Sequence, residues 1–342
     1  MPIGGPSAHN PSYIVGRFLE EDEISSKENM KLFLDRKKPH WLPDILGESV
    51  AMLPQYSNEK TSGQDGYDWF GVHWTWDKDA GAPYPTAGGN PLKDITKWKT
   101  EVEFPNLDSM DWETDVEAQR KRIDSRRMTM HRSNEGPFER LRSLLGFENA
   151  LEMLVVEPEA CYDLLSAIAD HKIRLYKKIC QYYGPLDMII HPDDYGTQRS
   201  GFFSDSMFKE LIYPHDKKIG EFIKGEGMYF GLHSCGNNER YIHQIIDMGV
   251  DLWDAQSSSN DVIAIHEKYG GQLSMLLYSD LSFVTYPEIT EAEAFEKIHA
   301  FVDKYAPYHR FTSIPMAEDT DLTLACSREF YRYSKVKLGS MA

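Results

Sequence analysis

Six short apolar runs, each separated from the next by a polar or helical stretch, constrain the fold more than any other feature of the chain. They are RMTMH (127–131), LDMIIH (186–191), MYFGLH (228–233), VDLWDA (250–255), QLSMLLY (272–278) and RFTSIPM (310–316). Each run is brief, and most are rich in β-branched, aromatic or long apolar residues. The intervening text has helical spacing. Residues 158–183 place Leu164, Ile168, Ile173 and Tyr176 near one face. Residues 204–224 open on a capping Ser204, and Thr290 with Glu293 forms a capping box for a helix ending near Lys304. Strands that are apolar on both faces and alternate with helices indicate a parallel sheet covered on both sides. Two further strands are expected in HWLPDIL (40–46) and WFGVHWTW (69–76), which makes eight and predicts a (β/α)8 TIM barrel. No GxGxxG follows the first strand, so a dinucleotide-binding sheet is disfavoured.

The first 115 residues read differently. They are rich in Trp, Pro, Gly and Asp and predict an irregular, aromatic extension holding the first barrel elements, with the main barrel over 116–342 and a single domain overall. The net charge of −17, from 54 acidic and 37 basic residues, argues against a nucleic-acid partner, which would require clustered Lys and Arg. Cys161, Cys180, Cys235 and Cys326 are widely separated and contain no CxxC pair, which fits a reducing compartment. The opening MPIGGPSAHNPSYIVGRF lacks the layout of a signal peptide, and no apolar window is long enough to span a bilayer. A cytoplasmic protein with no membrane contact is expected, and a homodimer is compatible with the chain.

In a parallel barrel, chemistry gathers at the carboxyl ends of the strands. Five successive strand ends here finish polar. The first carries His191, Asp193, Asp194, Tyr195, Gln198 and Arg199, and the second His233, Ser234 and Cys235. Asp254 and Gln256 follow, then Ser279 and Asp280, then Glu318 and Asp319. Helix capping explains a residue or two in each loop, but it explains His-x-Cys poorly. Side chains two apart on an extended backbone point the same way, so His233 and Cys235 are placed to share one ion. Imidazole and thiolate are preferred zinc donors. The alternative is a core cysteine beside a capping histidine. A third donor is needed; Cys326 is the sulfur candidate, and Asp194, Asp280 and Glu318 are oxygen alternatives. Cys161 and Cys180 lie in helical patterns and are expected to pack in the core.

Residues 186–256, from the HPDDYGTQRSGFF segment through Pro214 to HSCGNN and DLWDAQ, resemble the uroporphyrinogen decarboxylase superfamily, and within it the branch of cobamide-dependent methyltransferases. YDWFGVHW and GPFERLRSLLGFENALEMLVVEPE are similar to that branch too. The arginine-rich segment with which the decarboxylases hold substrate propionates has no counterpart in residues 40–56. The resemblance implies a (β/α)8 barrel and zinc held by His233, Cys235 and a later cysteine matched in type by Cys326. It implies methyl transfer from a small donor, with a methoxylated aromatic preferred, to the cobalt of a corrinoid. The chain has no DxHxxG motif, so the corrinoid is expected on a separate partner protein. Asp194 or Asp193 would act as general acid, with Tyr195, Gln198, Asp254 and Gln256 holding substrate and Trp69, Trp74 and Met130 forming an apolar wall. Transfer from cobalt to a thiol, porphyrinogen decarboxylation and a non-catalytic scaffold are the alternatives.

Overall fold

The computed structural model describes residues 24–54, 59–61, 63–78 and 82–341. The N-terminal stretch read for a signal peptide lies outside them. Seven parallel strands form one curled sheet: β1 Ser49–Ala51, β5 Met128–Arg132, β6 Met188–Pro192, β7 Tyr229–Ser234, β8 Leu252–Ala255, β9 Ser274–Leu276 and β10 Phe311–Thr312. Each strand lies beside its predecessor in the chain, and the order never reverses. A doubly wound sheet would reverse at a switch point, whereas unbroken succession with helical crossovers is barrel topology. The fold is α/β, of the (β/α)8 TIM-barrel type.

All six runs read as strands are found in this sheet. The two supplementary strands are not. Residues 40–46 form no strand, and the barrel opens instead at Ser49–Ala51. Pro39 directly precedes residues 40–46, and Pro43 within them has no backbone N–H for a ladder. The segment nevertheless bridges the ends of the sheet. Thr312 Oγ1 on β10 donates to the Pro43 carbonyl, and Ile45 joins the interior cluster that contains Ile314. The aromatic run 69–76 contributes to a separate three-stranded antiparallel sheet, β2 Gly66–Tyr67, β3 His73–Asp77 and β4 Ala82–Pro85. Its period-two pattern is real, but it is half-buried on a small sheet rather than enclosed in the barrel.

The barrel interior is filled by alternate residues of the strands. Met128 and Met130, Met188 and Ile190, Leu252, Leu276 and Ile314 form one buried cluster, closed below by Met30, Phe33 and Leu34 of the helix Ser26–Leu34. Ser274 Oγ donates to the Phe33 carbonyl and fastens that plug. Because side chains repeat every two residues along a strand, the next inward positions toward the carboxyl ends include Arg132, His233 and Asp254. The same periodicity that packs the barrel therefore sets its polar upper layer.

Helices also form where the spacing predicts them. The longest, Pro158–Tyr183, has the predicted bounds, and Cys161 and Cys180 lie within it. Ser204 Oγ accepts from Met207 N, and Thr290 with Glu293 makes both bonds of the capping box. Among the described residues no helix is long and apolar enough to cross a membrane.

Candidate metal centre at the barrel mouth

His233 lies on β7 and Asp254 directly opposite it on β8, in register. The His233 Nδ1 is 2.7 Å from Asp254 Oδ2, which leaves Nε2 facing the other way, 3.3 Å from Cys235 Sγ. The chain then turns at Gly236, whose φ is +82° and which lies against the Gly196 carbonyl, where no side chain would fit. Gln256 Oε1 accepts from Gly236 N, and the Asn238 amide donates to the Ser234 and Cys235 carbonyls. These bonds hold the HSCG turn in place from both sides.

The third member comes from the loop that follows β6. Asp194 Oδ1 accepts the Cys235 N–H at 2.8 Å and lies 3.9 Å from His233 Nε2. One donor atom from each of Asp194, His233 and Cys235 lies within 4.8 Å of the other two, and all three residues are half-buried. Among the described residues no other group of this kind occurs. One nitrogen, one sulfur and one oxygen donor, with the histidine's far nitrogen fixed by a carboxylate, form a donor set that suits zinc with an open fourth position.

The structure does not bring Cys326 to this group. That thiol is fully buried in the helix Thr320–Gly339, which packs on the helix Glu291–Tyr305, and burial pushes it up to about 12. Its place among apolar side chains follows from ordinary helical periodicity. Asp193 is buried and accepts from the backbone N–H groups of Phe138 and Glu139, which caps the helix Pro137–Leu145. Gly136 makes this possible, because a side chain there would run into the Pro192 carbonyl.

The remaining sequence candidates are dispersed. Tyr195 is buried, donates to Asp216 Oδ2 and packs on Phe208. Gln198 is exposed. Met130 belongs to the barrel interior, and Trp74 sits on β3 with its indole N–H on Asp68 and Lys60 above its ring.

Charge around His233 is strongly organised. Burial disfavours the imidazolium, but Asp254 and then Cys235 lift the His233 pKa to about 10. Burial raises the Asp254 carboxyl, but His233 and Arg132 outweigh it and hold the group below its usual range. Arg132 NH1 is 2.9 Å from Asp254 Oδ2. Further out, Arg142 bridges Glu139 at 2.9 Å and Asp194 at 3.8 Å, and Lys60 is 3.3 Å from Glu139. Arg132, Glu139, Arg142 and Lys60 do not stand out in the sequence as site residues. Arg132 had a usable signal, since it ends β5 on the inward phase. Glu139, Arg142 and Lys60 had none, because they reach the mouth from a helix and a loop.

Asp254→Asn is expected to lower zinc affinity by about 10–100-fold, since outer carboxylates fix the tautomer and basicity of a ligating histidine. Competition with a fluorescent chelator measures this directly.

Fold and mouth together define a TIM-barrel protein with a candidate metal centre at the carboxyl ends of its strands. The uroporphyrinogen decarboxylase (URO-D) family model matches residues 70–273, more than half of the chain. The chain belongs to the uroporphyrinogen decarboxylase family. Its fold is similar to that of a methyltransferase from Methanosarcina mazei, with a TM-score of 0.64 at 12% identity, covering 91% of this chain and 99% of the other. No curated protein matches the sequence.

Proposed function

We propose that the chain is a methyltransferase that moves a methyl group from a small donor to the cobalt of a corrinoid carried by a separate protein. The observation that carries this reading is the convergence of His233 Nε2, Cys235 Sγ and Asp194 Oδ1 at the barrel mouth. The methyltransferase neighbour supports it through the shared fold. Zinc held there by His233, Cys235 and Asp194 would supply a Lewis acid for the donor's oxygen or sulfur. Asp254 holds the His233 ring in the orientation that presents Nε2, and Arg132 keeps Asp254 ionised. Asp194 serves as the third donor and orients the turn through the Cys235 N–H. The methyl group passes to cobalt(I) without its bonding electrons, which stay on the donor heteroatom.

Porphyrinogen decarboxylation is less well served. Arg132, Arg142 and Lys60 all already contact carboxylates of the chain itself. A substrate carrying many carboxylates needs more cations than that.

Purified zinc-loaded protein, mixed with a reduced corrinoid protein and a panel of methoxylated aromatics, is expected to bleach the cobalt(I) absorbance with one or more donors. Appearance of the cobalt(I) absorbance when a methyl-corrinoid protein is mixed with a thiol, with no bleaching by the methoxylated donors, would move the reading to thiol methylation. Turnover of a porphyrinogen with no corrinoid present would replace it with the decarboxylase.

A further inference from the structure

The outer face of the helix Pro158–Tyr183 gathers positive charge that the barrel mouth does not use. Arg174, Lys177, Lys178 and Gln181 are spaced i, i+3, i+4 and i+7, so they share one side of the helix. Its inner side, with Leu175, Tyr176 and Ile179, is buried in the core. The segment from Phe104 to Asp108 lies against the polar side, and the two together line a groove of about 380 Å³. Lys178 Nζ is 2.6 Å from Asp108 Oδ1, which ties the segment to the helix. Asp108 is the one carboxylate in the lining among the described residues, and it is already paired with Lys178. Arg174 acts on it only at longer range. Among the described residues Arg174 and Lys177 have no hydrogen bond and no carboxylate within 4 Å; Lys177 meets only the face of the Phe222 ring, at 5.6 Å. Both are exposed. Like charges at this spacing repel, and no ion pair offsets them. The opposite wall is apolar. Phe104 and Pro105 form it, and Phe104 is fixed by ring contacts to Phe70 at 5.4 Å and His171 at 5.6 Å.

We propose that this groove is a second binding site, for a small phosphorylated molecule whose phosphoryl group sits between Arg174 and Lys177 and whose ring lies against Phe104 and Pro105. A planar guanidinium fork and a separate ammonium suit a phosphoryl group, which offers three oxygens to two cations. The volume falls at the small end of the range for ligand pockets, roughly 300–1,000 Å³. That is room for one ring and one phosphoryl group, not for a polymer. The net charge of −17 does not cancel the groove, because exposed charges beyond a Debye length of about 8 Å are largely screened. The groove lies outside the barrel wall and shares no residue with the His233–Cys235–Asp194 centre. It therefore stands or falls independently of methyl transfer.

Full-length protein is titrated calorimetrically, at fixed ionic strength, with phenyl phosphate, phenol, inorganic phosphate and a polyglutamate peptide. Phenyl phosphate is expected to bind about 10–100-fold more tightly than phenol, the range of one or two charge-assisted hydrogen bonds. It is expected to bind about tenfold more tightly than inorganic phosphate, from burial of the ring. Arg174→Gln and Lys177→Gln are each expected to weaken phenyl phosphate about tenfold. Both side chains are exposed, so neither change removes a core contact. Lys268→Gln removes the same charge from an exposed position on the helix Val262–Lys268 and is expected to leave the affinity unchanged. The proposal is overturned if phenyl phosphate does not bind, or if it binds no better than phenol or inorganic phosphate. It is also overturned if Lys268→Gln weakens binding as much as Arg174→Gln does, which would reduce the effect to net charge. Polyglutamate binding more tightly than phenyl phosphate, and losing its affinity in Arg174→Gln and Lys177→Gln, would replace the small-molecule site with a docking surface for an acidic protein.

Discussion

Cys235→Ser and His233→Ala are each expected to leave the purified protein nearly free of zinc and without methyl transfer, while Cys326→Ala keeps its metal. The loss should exceed the ~10–100-fold that an outer-shell substitution costs, because each change removes one of only three protein donors. Asp194→Ala should behave like the first two. The fold should survive in all of them. Cys235 and Asp194 are half-buried, and in His233→Ala the buried Asp254 still has Arg132 as its partner. Metal analysis after dialysis against a chelator, with urea unfolding of the metal-free proteins, separates loss of the site from loss of the fold. Full zinc occupancy in Asp194→Ala, with loss in Cys326→Ala, would instead return the third position to sulfur. That outcome requires the helix Thr320–Gly339 to leave its seat in the core.

The difference between those two candidates shows where the sequence was legible. Strand and helix order could be read because each run states its own periodicity, and the structure follows it from Met128 to Thr312. The His233–Cys235 pair could be read because both side chains lie on one strand end, where spacing fixes direction. A third donor comes from another element. Cys326 and Asp194 were alternatives by residue type alone, and only the parallel pairing of β6 with β7 brings Asp194 to the Cys235 N–H. Asp193 and Asp194 are adjacent and chemically identical, yet one caps a helix and the other faces the mouth. Alternation predicts that they diverge but does not say which faces which way. The first barrel strand was misplaced because Ser49–Ala51 is three residues long, too short to carry a period of its own. The tryptophan-rich run beyond it has a stronger strand signal and belongs to the small antiparallel sheet.

That small sheet is tied to the barrel by one buried cation, and Arg140→Met is expected to destabilise the protein by about 3–5 kcal/mol, the range for stranding a buried charge. Arg140 lies on the helix Pro137–Leu145 and is almost fully buried. Its NH1 is 2.5 Å from Asp68 Oδ2 and its NH2 is 2.5 Å from Glu135 Oε2, and it lies over the Phe70 ring. The two carboxylates do not suffer equally when it goes. Asp68 retains the N–H groups of Phe70, Val72 and Trp74, three donors that keep an ionised carboxylate satisfied. Glu135 retains only the distant Lys60 ammonium at 3.9 Å, and burial already pushes its carboxyl upward. Most of the cost therefore falls on Glu135. Adding Glu135→Gln to Arg140→Met should restore more stability than adding Asp68→Asn, because the first removes a stranded charge and the second weakens the hydrogen bonds that shape β3. Urea unfolding of the three variants measures the order. Equal recovery from both second changes would mean that the lost packing over Phe70, and not the stranded carboxylate, dominates the effect of the single substitution.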